Sequence, residues 1–406
     1  MARDLGPARP EDVGLSSEGL ARIDGFLQGM IDSGDLAGAV TLVARHGQVV
    51  HTNTLGKKNV ASGEPLKLDT IFRIFSMTKP VTGTAMMILH DEGRWKPEDP
   101  IARHLPEFKD VGVFAGLDAA GEPILDAVDH APTVGELMTH TAGFSYGFDP
   151  NLSVDKLYQQ AGIWRSADLD ELSRKVAGLP LLYQPGSKWL YSLSMDIQGA
   201  MIERLSDQSL PEFMRTRMFE PLGMVDTAFH TPPAKKDRLA TLYRWSKKSG
   251  LKETVNPLMP DQESPPGLAS GGGGLVSTAG DYARFAQMLL NGGEFGGKRI
   301  VSAEALKLQM SNHLSEAIIN GGFGVGRMQI RPGFGYGYDG AVFIDPAKAG
   351  IPVGEGTYQW DGAAGTWFWV DPANDLLFVG MIQWLSESPI MIQATTQTLM
   401  ADAILK

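Results

Sequence analysis

A serine and a lysine stand three residues apart in Ser76-Met77-Thr78-Lys79, at the head of a long apolar run, and no other feature constrains the chain as much. Ile71-Phe72-Arg73-Ile74-Phe75 leads in as a buried approach, and Val81 to Leu89 is almost continuously apolar, so the spacing predicts a helix packed into a core. Pro80 falls in the first turn, where the missing amide would lack an intrahelical partner anyway, which fits a helix starting near Ser76. Three residues of separation put both functional side chains on one helix face. A serine at a helix N-terminus also meets free backbone N–H groups and the positive end of the helix dipole, which stabilise a developing alkoxide or nearby oxyanion.

The four-residue pattern alone is weak, because Ser153-Val154-Asp155-Lys156 and Ser249-Gly250-Leu251-Lys252 also match it, both in polar, loop-like surroundings. Gly143-Phe144-Ser145-Tyr146-Gly147 matches the nucleophile elbow of α/β hydrolases. That elbow needs a strand before the serine and a helix after it, whereas a helix-like segment precedes Ser145 and the turn-rich Phe148-Asp149-Pro150-Asn151 follows. Gly335 to Gly340 matches the dinucleotide fingerprint, but a short segment ending at Pro346 follows in place of a helix, so no cofactor site is inferred. The run Gly271 to Gly274 reads as a tight loop, since no Gly-Lys-Ser/Thr follows it.

With 406 residues, 43% of them hydrophobic, the chain can bury a sizeable core and has the length of two or three domain-sized units. A net charge of −11 and the absence of any Lys/Arg-rich run argue against nucleic acid or an anionic membrane as partner and favour small, neutral or cationic substrates. There is no cysteine, which excludes disulfides and thiolate chemistry. The eight histidines form no His-x-x-x-His pair, so no metal site is expected. No stretch approaches the ~18 continuous apolar residues of a membrane span, and Met1 to Pro7 contains no apolar leader, so a cytoplasmic location is expected. Nothing in the residues fixes the oligomeric state.

Along the chain, Ser16 caps an amphipathic helix through Ile31, and Gly38 to Ala44 followed by Gln48 to Thr52 reads as a hairpin turning at His46-Gly47. Near the other end Trp367 and Trp369 alternate with Phe368 and Val370, Asp371 to Asp375 turns into Leu376 to Gln383, and a last helix covers about Ile390 to Leu405. Helical periodicity fills the middle at Val134 to Thr141, Leu169 to Ala177, Met195 to Leu205 and Pro211 to Phe219. Thr278 to Asp281 opens another helix reaching Leu290. The expected fold class is α/β in the α+β sense: an antiparallel sheet built from both chain ends (1–100 and 265–406), flanked by helices, with a mainly helical insertion (101–264) and the site in the cleft between them.

A serine hydroxyl needs a base within hydrogen-bond reach, and a lysine serves only if its pKa of ~10.4 is pulled down by burial or by another cation. A phenol coupled to the lysine would allow a proton to shuttle. Tyr191 is the best candidate, although chemistry alone does not separate it from the other eight tyrosines. His140 is the competing base, and its expected role is structural, capping the loop to Gly143.

Ser76-Met77-Thr78-Lys79, Tyr191-Ser192 and Trp360-Asp361-Gly362, in that order, resemble the three motifs of serine beta-lactamase-like hydrolases, and most resemble the family VIII carboxylesterases. Further similarity runs through Leu137 to Gly143, Pro221 to Met224 and Gly271 to Thr278, so that the resemblance spans residues 10 to 400. It implies a beta-lactamase/transpeptidase-like fold and a nucleophilic Ser76, with Lys79 and Tyr191 sharing base and acid roles. It also implies an oxyanion hole from the backbone N–H groups of Ser76 and Ala363, and no cofactor. The substrate would be a small-molecule ester, hydrolysed through an acyl-enzyme, with Trp360, Gly362, Phe144 and Tyr146 around it. Beta-lactamases and D-Ala peptidases usually carry Lys or His where this chain has Trp360, and Tyr-x-Asn where it has Tyr191-Ser192-Leu193. The missing cation and amide disfavour a carboxylate-bearing lactam and favour a neutral, short-acyl ester. Amide or lactam hydrolysis, acyl transfer, and a scaffold without catalysis are the alternatives.

Overall fold

His46 and Gly47 both adopt left-handed backbone, with φ of 54° and 76°, and this two-residue turn folds strand Gly38–Arg45 back onto strand Gln48–Asn59 as the sequence predicts. In the computed structural model, which describes residues 3–256, 263–325, 328–330, 332–386 and 391–405, that hairpin supplies two strands of a nine-stranded sheet. Strand Leu376–Met381 joins it antiparallel to Gly38–Arg45, followed outward by Trp367–Asp371, Tyr358–Asp361, Ala341–Phe343 and Phe334–Tyr336, each antiparallel to the last. At the opposite edge Gly6–Pro7 pairs parallel to Gln48–Asn59. The centre of the sheet therefore depends on two segments more than three hundred residues apart.

The two-residue alternation of strand Trp367–Asp371 sorts its side chains into two cores. On one face Trp367 and Trp369 stack against Phe378, with ring centroids 5.9 and 4.3 Å apart. This face packs under helices Ser17–Asp32 and Ile392–Asp402. On the other face Phe368, Val370 and Val379 pack against the buried helix Thr78–Asp91 and helix Ala279–Leu290, with Tyr282 edge-on to Phe368 at 4.9 Å. Ser16 and Thr278 cap their helices as expected, each side-chain oxygen accepting a backbone N–H three residues on.

Between the two groups of sheet strands the chain is mainly helical. Thr133 and Glu136 form a reciprocal capping box that starts helix Val134–Met138, and helices Leu169–Ala177 and Ser194–Ser206 follow. The predicted helix Pro211 to Phe219 is α-helical only over Leu210–Met214. It then widens into a π turn over Arg215–Phe219, ahead of Pro221, which has no amide to donate, and Gly223 in left-handed backbone ends it. Ser153 to Lys156 also departs from expectation, forming the first turn of helix Ser153–Gln160 and not a loop. The closing helix is shorter than predicted, because Ile404 leaves it to bridge to Leu15; Ile390 lies outside the described residues. Among the described residues no helix is long and apolar enough to cross a membrane.

Candidate functional site

The chain enters the site through a strained residue. Phe75 holds φ at 44°, left-handed backbone that a bulky side chain rarely adopts, and a 3-10 turn over Phe75–Met77 runs into helix Thr78–Asp91. The turn is anchored from outside: Tyr282 donates its hydroxyl to Met77 O at 2.8 Å, and Leu275 N–H donates to Thr78 Oγ1 at 3.2 Å. Ser76 thus sits at the head of a helix that is buried from Thr78 to Leu89.

Lys79 is fully buried, and its Nζ lies 3.2 Å from Ser76 Oγ, 3.1 Å from Tyr146 OH and 2.6 Å from Gly272 O. Tyr191 OH lies 2.7 Å from Ser76 Oγ on its other side. The Lys79 Nζ also sits over the rings of Tyr191 and Tyr146, 4.7 and 5.5 Å from their centroids. Loss of hydration pulls the Lys79 pKa from 10.5 down to about 7, against the opposing charges of Asp196, Asp339 and Asp361. Burial moves the Tyr191 and Tyr146 phenols the other way, well above their ordinary value, so both stay protonated at neutral pH. A neutral Lys79 amine has two N–H bonds for its fixed acceptors, Gly272 O and Tyr146 OH, which leaves its lone pair aimed at Ser76 Oγ.

The wall opposite comes from strand Tyr358–Asp361 and the turn after it. Gly362 N–H donates to Thr366 O at 2.7 Å, and Thr366 Oγ1 donates to Ile74 O at 3.2 Å, tying the turn to the residue two before Ser76. A Cβ on Gly362 would lie 2.3 Å from both Ile74 O and Thr366 Oγ1, so only glycine fits. Gly362→Ala is expected to destabilise the fold by about 3 kcal/mol through overpacking, with ester turnover falling by more than the lost stability accounts for; thermal melts and kinetics on the same sample check both. Trp360 is buried beside Tyr191 and edge-on to Tyr336, with centroids 5.8 and 5.5 Å away. Asp361 ends the strand open to solvent at this wall.

Ser76, Lys79, Tyr191 and Trp360 are therefore brought together, Ala363 follows Gly362 in the tied turn, and Tyr146, expected beside the substrate, reaches the amine of Lys79. Phe144 is a correction: its ring is buried in the core, edge-on to Phe108 at 5.6 Å, and offers no surface to a substrate. Ser145 is likewise buried, its hydroxyl donating to Asp155, as a structural residue would. His140 is buried and held neutral by burial and by the Lys79 charge. Its Nδ1 accepts the Ser192 N–H at 3.2 Å, so it braces the Tyr191-Ser192 segment, and its carbonyl accepts the Leu190 N–H. Gly335 to Gly340 turns one strand into the next, with no helix after it.

Three features escaped the sequence reading. Tyr146 touches the lysine directly. The glycine loop holds Lys79 by the Gly272 carbonyl, and a Cβ on Gly271 would come within 2.4 Å of Met195 O. Asp196 and Asp339 are fully buried near the lysine. A glycine run pressed between two helices was the available signal for the second. Among the described residues no group of three or more His, Asp or Glu is placed to hold a metal ion.

The sequence model of the Beta-lactamase family matches residues 23–401. Protein Rv1367c of Mycobacterium tuberculosis (strain ATCC 25618 / H37Rv) is 37% identical over 362 residues, covering 87% of each chain. Esterase EstB of Burkholderia gladioli is 31% identical over 375 residues, covering 88% of each. Among solved structures, EstCE1, described as a hydrolase with promiscuous acyltransferase activity, superposes with a TM-score of 0.78 at 27% identity, covering 96% of this chain and 99% of that one.

Proposed function

Because this chain belongs to the Beta-lactamase family and is a serine hydrolase, we propose that it is a carboxylesterase acting on small, neutral, short-acyl esters through an acyl-enzyme on Ser76. The observation that carries this reading is the placement of a lysine amine and a phenol on opposite sides of one serine hydroxyl, at 3.2 and 2.7 Å. In this reading the neutral Lys79 takes the Ser76 proton as Oγ attacks the ester carbonyl. The negative charge that develops on the carbonyl oxygen falls to the backbone N–H groups of Ser76 and Ala363, each worth ~3 kcal/mol of barrier. Tyr191, which burial keeps protonated, delivers a proton to the departing alkoxide and is reprotonated from Lys79. Water then enters and attacks the acyl carbon as it loses a proton to the same pair, and the pair returns that proton to Ser76 Oγ as the acid leaves.

The walls support an ester over a lactam. Trp360 and Tyr191 present rings where a carboxylate-bearing substrate would need a cation. The relative EstB is called an esterase, and an alcohol in place of water would turn the same acyl-enzyme toward acyl transfer, the second activity in the EstCE1 description.

The test is hydrolysis of a chromogenic butyrate ester beside a chromogenic beta-lactam, together with labelling by a serine-directed phosphonate and peptide mapping. One phosphonate per chain on Ser76 with ester turnover far above lactam turnover is the expected result; label on another serine, or none, would overturn it. Activity should also depend on pH through Lys79. Its folded pKa of about 7 means the base form accumulates above that pH, so kcat/KM should rise tenfold per unit below about 7 and level off above it.

A further inference from the structure

Behind Lys79 lies a buried carboxylate that the reaction does not consume. Asp196 sits in the first turn of helix Ser194–Ser206, five residues after Tyr191, and is fully buried. Its Oδ1 accepts the Ser270 hydroxyl at 2.6 Å and the Gly272 N–H at 3.3 Å, and the carbonyl of that same Gly272 accepts Lys79 Nζ at 2.6 Å. Carboxylate and amine are thus joined through the backbone of one residue, whose N–H and C=O belong to the two peptide groups flanking its Cα. Space around that residue is closed: a Cβ on Gly272 would lie 2.9 Å from Asp196 Oδ2 and 3.0 Å from Tyr146 OH. Any side chain at position 272 would therefore crowd Asp196 and Tyr146, so glycine keeps the backbone close to both.

We propose that Asp196 is a positioning residue, resting on the function argued above: it holds the backbone of Gly272, whose carbonyl orients Lys79, and its charge sets the pH above which Lys79 can accept the Ser76 proton. A negative charge near the amine favours the ammonium form, so Asp196 holds the lysine in reserve at low pH and opposes the desolvation that would otherwise free it. The other groups that bear on Lys79 are Asp339 in the turn before strand Ala341–Phe343, Asp361 at the solvent side, and the neutral Tyr146, Tyr191 and His140. Asp339 is turned to Gln198, which donates to its Oδ1 at 3.0 Å, and its Oδ2 faces the Gly83 backbone one turn along from Lys79. Asp361 is open to solvent and screened. Asp196 alone among the three carboxylates is joined to the amine through hydrogen bonds.

Asp196→Asn keeps an oxygen for Ser270 and Gly272 but removes the charge, so the two roles separate. The acid limb of the pH profile should move toward lower pH by about one unit, while the plateau kcat/KM falls less than tenfold. Asp196→Ala removes both roles, and its plateau should fall by about 100-fold. Should Asp196→Asn fail to fold, Ser270→Ala removes the hydrogen bond that favours the ionised carboxylate, which burial already pushes toward its neutral form, and should move the limb in the same direction by a smaller amount. The rate of phosphonate labelling at Ser76 against pH reads the same limb without depending on the choice of ester. A limb that coincides with wild type in every folded variant would overturn the proposal and leave the esterase reading standing; a wild type that neither labels at Ser76 nor turns over an ester would overturn both.

Discussion

Ser76→Ala is expected to lower kcat/KM for a butyrate ester by about 10⁵-fold while leaving the thermal melt within a degree or two of wild type. The size of the loss follows from the absence, among the described residues, of a second nucleophile hydrogen-bonded to the lysine: Lys79 Nζ bonds Ser76, Tyr146 and Gly272, and a phenol held well above its ordinary pKa does not attack at neutral pH. The mildness of the structural effect follows from what Ser76 does not do. The turn that carries it is anchored by Met77 O and Thr78 Oγ1, which the substitution leaves untouched. Retained turnover in a folded Ser76→Ala would move the nucleophile elsewhere and end the mechanism given above.

Lys79→Met is expected to be as inactive and yet more stable than the wild type. Two effects oppose each other. Holding the amine buried lowers its pKa from 10.5 to about 7, a preference equivalent to about 5 kcal/mol between its charged and neutral forms. Replacing it leaves the Gly272 carbonyl without its donor, at a cost of about 1–3 kcal/mol. The difference favours the variant by about 2 kcal/mol at pH 7, typical of a residue kept for chemistry and not for packing. The pH dependence of this stability difference has a definite sign. Between about 7 and 10.5 the unfolded lysine is protonated and the folded one is not, so wild-type stability rises with pH across that window. The advantage of Lys79→Met should therefore be greatest at or below pH 7 and shrink toward pH 10, and melts across that range measure it. A variant less stable than wild type at pH 7 would show that the lysine's hydrogen bonds outweigh its desolvation.

The parts of this fold that were legible in the sequence are those governed by neighbours a few residues away. Ser16 and Thr278 announce their helices by capping, His46-Gly47 announces its hairpin by left-handed backbone, and the alternation of Trp367 with Phe368 announces a strand buried on both faces. Ser76 and Lys79 were legible for the same reason, since one helical turn fixes their spacing. Tyr191 needed the resemblance to single it out. Phe144 and Tyr146 show where local pattern fails: they lie in irregular backbone between Gly143 and Gly147, both at positive φ, where no two-residue or helical period says which side chain faces where. One ring went to the core and the other to the lysine. Asp196 and the Gly272 carbonyl were out of reach for a different reason, because their meeting with Lys79 is made by helices and a loop that come from three distant parts of the chain.

The pairing of strand Gly38–Arg45 with Leu376–Met381 has a consequence for how the molecule comes into being. A chain emerging from the ribosome would carry its nucleophile for some three hundred residues of further synthesis before the strand that closes the sheet exists. Closing so long a loop is slow, and the half-built sheet presents an open edge meanwhile. Reactivity at Ser76 would thus arrive late and all at once, since the turn that follows Trp360 and the strand that seats it are made only some three hundred residues after Ser76 itself.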